Sequence, residues 1–206
     1  CFENLLKISK KKGVKKFIYA SSSSVYGFSD DPNVTEEHPL VPLTLYNKFK
    51  GMCEPILKKY LDNSFRGVII RPATVCGYAP HCRLDLSVNI LTNHAVNNKK
   101  IIVLGGGQQK RPNLHVNDMS RAYLNLMEND FSEINGETFN VSFENKKIIE
   151  LAEIVSTNVK KFFNYENLEI EVKTETVDNR SYHVNSDKIK KILKFEPKYN
   201  IDDAVN

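Results

Sequence analysis

The stretch Phe17-Ile18-Tyr19-Ala20-Ser21-Ser22-Ser23-Ser24-Val25-Tyr26-Gly27 decides how this chain is read. A short apolar strand runs straight into four serines and then a turn that closes on glycine. Further on comes Tyr46-Asn47-Lys48-Phe49-Lys50, with a tyrosine four residues before a lysine. On a helix that spacing puts the phenol and the ammonium on one face. A tyrosine titrates near about 10, too high for a base at neutral pH, and a neighbouring ammonium favours its phenolate. Together with a serine hydroxyl that holds the same oxygen, such a pair can take the proton off a carbinol. The hydride lost from that carbon needs an acceptor that no side chain provides, so a nicotinamide cofactor is implied. A tyrosine–lysine pair alone is usually surface decoration, and a serine run is usually a turn. The strand before them, the proline loop between them and the helix around the pair give them weight.

Working outward, Cys1 to Ile8 opens inside an amphipathic helical pattern that Gly13 ends, and the strand Lys16 to Ala20 follows at once. Residues Phe28 to Leu43 are turn-rich, with Pro32, Pro39 and Pro42, and Thr35-Glu36-Glu37 reads as a loop over a cleft, outside the core. A helix is expected from Thr44 to Leu61, and a buried strand from Gly67 to Arg71 that Pro72 stops. Beyond the loop Cys76 to Pro80, the pattern predicts a helix over Leu84 to Asn97 and a strand over Ile101 to Leu104. Next come a short segment Leu114-His115-Val116 and a helix from Asp118 to Glu128. A strand Glu137 to Val141, a helix Ile148 to Phe162, an alternating strand Leu168 to Thr174 and a short helix Ser186 to Leu193 complete the chain. Helices and strands alternate throughout, which is the pattern of an α/β protein.

The bulk numbers fit one domain, or a domain with a small lobe: 206 residues, 41% hydrophobic and 26% charged, with a net charge of +4. Basic residues are scattered, and the densest run, Lys10 to Lys16, suits the end of a helix. A nucleic-acid footprint would need a basic stripe with stacking aromatics, and none is visible. Cys1, Cys53, Cys76 and Cys82 form no Cys-x-x-Cys pair and have no histidine at ligand spacing, so no metal is expected and free thiols are. No apolar run approaches the roughly 20 residues that cross a bilayer, so no membrane is expected. With no signal peptide in view, the cytoplasm is the default compartment. The turn Gly105-Gly106-Gly107-Gln108-Gln109-Lys110 lacks the hydroxyl residue after lysine that a phosphate-binding loop needs.

Four motifs in order carry a resemblance: Ser22 through Gly27, then Tyr46 and Lys50, then Arg71-Pro72-Ala73-Thr74-Val75-Cys76-Gly77, then Gly105 through Arg111 and His115 to Asp118. Over nearly its whole length the chain resembles an extended short-chain dehydrogenase/reductase of the NAD-dependent epimerase/dehydratase group, which acts on nucleotide sugars. The resemblance implies an α/β fold made of the C-terminal part of an NAD(P)-binding Rossmann fold plus a small α/β substrate-binding lobe. Residues 1–76 and 117–143 would form the later half of the Rossmann domain, and 77–116 and 144–206 the lobe. It also implies that a glycine-rich N-terminal half of about 100 residues precedes this segment in the family fold.

By position, the resemblance makes Ser22, Tyr46 and Lys50 catalytic. Ala20, Ser21, Pro72 and Ala73, with Tyr46 and Lys50, would hold NAD, with NADP possible. Ser22, Ser23, Thr74, Asn89, Arg111 and Arg180 would bind a nucleotide-diphosphate sugar; a guanidinium fork suits its phosphates. Relatives that eliminate water carry acidic residues just after the catalytic hydroxyl, and Ser23 and Ser24 are not acidic. A 4-epimerase is therefore the first expectation. A dehydrogenase, reductase or dehydratase is the alternative, and a non-catalytic dinucleotide-sensing module is the third. Relatives commonly dimerise through the tyrosine–lysine helix, so a homodimer is implied.

Overall fold

The computed structural model describes residues 1–174 and 181–206. Along the chain run α1 (Phe2–Lys11), β1 (Lys16–Ala20), α2 (Leu45–Tyr60), β2 (Arg66–Pro72), β3 (Thr74–Cys76), α3 (Ser87–Asn98), β4 (Lys100–Leu104) and β5 (Lys110–His115). They are followed by α4 (Val116–Glu128), α5 (Phe131–Ile134), β6 (Thr138–Val141), β7 (Glu144–Lys147), α6 (Ile148–Phe163), β8 (Glu169–Lys173), α7 (Asp187–Leu193) and α8 (Ile201–Val205). This is the expected α/β architecture with a parallel sheet, in the Rossmann manner. The sequence pattern does not predict strands β3 and β7 or helices α5 and α8, and β5 starts well before the expected Leu114.

The central sheet has the order β1-β2-β6, all parallel, with Ala20 beside Ile70 and Ile70 beside Phe139. Strand β2 is buried on both sides, as a parallel strand covered by helices must be. Val68 and Ile70 join a core with Ala122, Leu126, Phe131 and Leu193 from α4, α5 and α7. Ile69 points the other way, to Leu6 and Leu57 of α1 and α2. A second sheet, β3-β5-β7, continues from the end of β2 after Ala73, and the parallel pair β4-β8 packs with α3 and α6 around Ile101, Val103, Leu91 and Val155.

The loop between β1 and α2 departs from expectation. Val34 is fully buried and bridges to Val184, and the Glu36 carboxylate accepts the backbone N–H of Asn140 at 2.7 Å. The carbonyl of Glu36 also accepts from Arg71 Nη1 at 2.9 Å. This segment thus closes over the end of β2 and β6 as part of the interior, because its glutamate satisfies buried donors that the sheet leaves open.

Candidate active site

The serines leave the sheet as β1 ends. Ser21 donates its backbone N–H to Ile70, so it still belongs to the strand. Ser22 turns the chain: its side chain accepts the N–H of Ser24 at 3.2 Å and caps the single turn of 3-10 helix over Ser23–Tyr26. Gly27 ends that turn at φ +68, with Val41 O only 1.9 Å from where a Cβ would stand. Only glycine fits both the angle and the space.

Thr44 starts α2 by accepting the N–H of Asn47 at 3.2 Å, which fixes Tyr46 and Lys50 in the first turns. Lys50 Nζ donates to the carbonyl of Ala20 at 2.6 Å and lies 5.8 Å from the centre of the Tyr46 ring. The lysine therefore ties the end of β1 to the helix that carries the tyrosine. Tyr19 supports it from below, donating its hydroxyl to the carbonyl of Lys50 at 3.0 Å; burial pushes the Tyr19 phenol up, away from ionisation.

Ser22, Ser23, Tyr46, Pro72, Ala73, Thr74 and Arg111 all line one cleft of about 720 Å³, at the carboxyl ends of β1 and β2. An open parallel sheet binds its ligands at such ends. A second cleft of about 540 Å³ adjoins it, and the two share Thr74, Asp85, Leu86 and Arg111. The groove so formed runs from the serines toward Lys173 on β8. Arg111 is 7% exposed and sits where the clefts meet.

Among the described residues, Ala20, Lys50 and Asn89 do not line this groove. Asn89 lines neither cleft: its Oδ1 accepts the N–H of Gly77 at 3.1 Å and its Nδ2 donates to the carbonyl of Arg83 at 3.0 Å, so its amide braces the loop between β3 and α3. Arg180 lies outside the described residues. Conversely, Asn47, Arg83 and Asp85 line the cleft without having been anticipated. Arg83 and Asp85 hold each other through two bonds, at 3.1 and 2.5 Å. The sequence gives no sign that the loop carrying this pair folds over the serines.

The residues at the carboxyl ends of β1 and β2 suit a dinucleotide. Ser21 Oγ is buried without a hydrogen-bond partner among the described residues, and Ala73 follows the strand end in a backbone held to Val141 at 2.8 Å. An orphaned buried hydroxyl at a strand end is what a bound polar ligand would satisfy. Among the described residues no cluster of histidine, cysteine, aspartate or glutamate could hold a metal ion, and no helix is long and apolar enough to cross a membrane.

Dehydratases and epimerases stand side by side among the relatives. The chain is 29% identical over 160 residues to dTDP-D-glucose 4,6-dehydratase of Mus musculus, covering 76% of this chain and 43% of that one. It is 27% identical over 210 residues to UDP-glucuronate 4-epimerase of Thermodesulfobacterium geofontis, covering 98% and 60%. In structure it matches dTDP-glucose 4,6-dehydratase from Bacillus anthracis in complex with NAD, with a TM-score of 0.81 and 25% identity, over 99% of this chain and 63% of that one. The chain spans about half the length of the first curated relatives it matches. The family model for the NAD dependent epimerase/dehydratase family matches residues 2–142, which contain the serine turn, the tyrosine–lysine helix and Arg111. The chain belongs to the NAD dependent epimerase/dehydratase family.

Proposed function

We propose that this chain carries the catalytic residues of a nucleotide-sugar 4-epimerase, which oxidises a sugar hydroxyl to a ketone and reduces it again from the other side. One observation carries the reading: Ser22 and Tyr46 line one cleft, Lys50 joins the tyrosine helix to the strand beneath it, and that cleft offers almost no acid chemistry. Among the described residues that line it, Asp85 is the only carboxylate, and Arg83 holds it at both oxygens. Elimination of water needs a further acid and base beside the reacting sugar. With Ser23 and Ser24 there instead, oxidation and return are the supported course.

In this reading Ser22 holds the sugar oxygen, Tyr46 takes its proton and later returns it, and Lys50 fixes Tyr46 over the end of β1. A nicotinamide dinucleotide, held by Ala20, Ser21, Lys50, Pro72 and Ala73, supplies the hydride acceptor and donor when bound. Arg111 binds the diphosphate with its planar fork, and Thr74 faces the sugar. Arg180 and Asn89 remain part of the proposed binding set by position in the sequence, Asn89 acting through the loop it braces. The free thiols of Cys1, Cys53, Cys76 and Cys82 suit a reducing cytoplasm. Leu45, Phe49 and Met52 of α2 and Leu5 and Ile8 of α1 are exposed, which supports pairing with a second copy through these helices.

The reaction is tested with the complete gene product, NAD and UDP- or dTDP-hexoses, by separating product sugars while following reduced-nicotinamide absorbance. An epimerase interconverts two sugars with no net absorbance change. Steady accumulation of reduced cofactor would instead make the protein a dehydrogenase, and a deoxy-keto product would make it a dehydratase.

A further inference from the structure

Asn47 follows Tyr46 directly, yet it is 3% exposed while Tyr46 is 57% exposed. Ser24 Oγ donates to Asn47 Oδ1 at 2.8 Å and lies 2.7 Å from Ser22 Oγ. Asn47 Nδ2 has no hydrogen-bond partner among the described residues. A buried amide donor without a partner is costly, so its presence beside the reacting residues asks for a physical reason.

Counting protons supplies one. A serine hydroxyl has one proton and two lone pairs. With Oδ1 facing Ser24, the Ser24 proton is committed to Asn47. The contact between the two serines then uses the proton of Ser22, and Ser22 shows only lone pairs to the cleft. Half a turn of the amide puts Nδ2 where Oδ1 was, a rotation that changes the shape of the side chain very little. Nδ2 then donates to Ser24, Ser24 donates to Ser22, and Ser22 has its own proton to offer. The half turn also leaves an acceptor unpaired in place of a donor, and buried proteins tolerate that better.

A sugar oxygen that gives its proton to Tyr46, as its carbon gives up a hydride to the nicotinamide of the proposed reaction, becomes a carbonyl oxygen, which can only accept. We propose that Asn47 is a positioning residue: through Nδ2 it sets the direction of the Ser24–Ser22 hydroxyl chain, so that Ser22 donates to the reacting oxygen. The kinetic arm of its test rests on the epimerase reading above; the diffraction arm does not.

In the complete gene product, Asn47→Asp supplies an ionised group that only accepts and locks the chain in the wrong direction. Asn47→Leu leaves both hydroxyls free to turn. Asn47→Asp is expected to lower kcat more than about tenfold at pH 8 with KM within about twofold. Activity relative to the wild-type protein at the same pH should recover as the pH falls and the carboxyl gains a proton to donate. Asn47→Leu should lose less, and a Ser24→Ala background should erase the difference between aspartate and asparagine at this position. Equal, pH-independent losses in both variants, or an aspartate effect that survives in Ser24→Ala, would overturn the proposal. Neutron diffraction from deuterium-exchanged crystals reads the same chain without activity. Deuterons on the Asn47 nitrogen aimed at Ser24 support it, and a Ser24 deuteron aimed at the Asn47 oxygen overturns it. A wild-type protein that turns over no nucleotide sugar would sink the epimerase reading and leave the neutron map to decide this one.

Discussion

Glu54 of α2 and Arg71 of β2 form a buried two-bond pair, Nε to Oε1 at 3.0 Å and Nη2 to Oε2 at 2.6 Å, with both side chains 6% exposed. Glu54 stands four residues after Lys50 and so shares its helix face. The pair therefore pins the tyrosine–lysine helix to the central strand. The third arm of Arg71 donates to the Tyr26 hydroxyl at 2.8 Å, and that hydroxyl donates to Asn140 Oδ1 at 2.8 Å. The serine turn, the helix and two strands are thus locked by one network.

Breaking one side of that pair strands a buried charge. Glu54→Leu in the complete gene product is expected to lower stability by about 3–5 kcal/mol, measured by urea unfolding. Glu54→Leu with Arg71→Met removes both charges and should recover a good part of the loss. If the double variant is as unstable as the sum of the two single ones, the pair does not act as a unit.

Gly27 and Gly13 both have positive φ, at +68 and +79, but only Gly27 is crowded. Nothing lies within 4 Å of a Cβ at Gly13. Gly13→Ala should therefore cost only the backbone strain, about 1–2 kcal/mol. Gly27→Ala should cost clearly more, because the Val41 carbonyl must move, and should disturb the serine turn. Equal losses for the two, by thermal unfolding, would contradict this account of the turn.

His115 caps α4 by accepting the N–H of Asn117 at Nδ1, 3.0 Å away, and stacks on Tyr199 with ring centres 4.9 Å apart. Burial pushes its pKa below the ordinary 6.5. Just below pH 6.5 the unfolded chain therefore binds more protons than the folded one, and stability falls as the pH drops through that window and toward the lowered folded value. The capping contribution is fully present above it. His115→Asn can still accept the N–H as a cap, so it should flatten this part of the stability–pH curve even if lost packing lowers it overall. An unchanged slope would show that His115 is not its source.

Much of this was legible in the chain itself, for physical reasons. The strand β1 is a short, mostly apolar run, and the helix α2 opens on the hydroxyl cap of Thr44. Strand β5 hid because it reads Lys-Arg-Pro-Asn-Leu-His, a sequence that looks like loop. Its Pro112 is tolerated because β3 pairs only from Asn113 onward. Strand β7, Glu-Asn-Lys-Lys, exists only because β5 offers it an antiparallel partner. The Tyr46–Lys50 pairing on one helix face was readable because its four-residue spacing is local. Asn47 and the Arg83–Asp85 pair were not, because burial and loop closure are tertiary facts that a neighbouring residue name does not carry.

In the proposed reaction Tyr46 moves the proton of the sugar hydroxyl. The most direct measurement is kcat for Tyr46→Phe in the complete gene product with a UDP- or dTDP-hexose, alongside NAD binding by the same sample. With only the phenolic oxygen removed, kcat is expected to fall by about 10²–10⁴-fold while NAD still binds. A variant that keeps most of its turnover would contradict it.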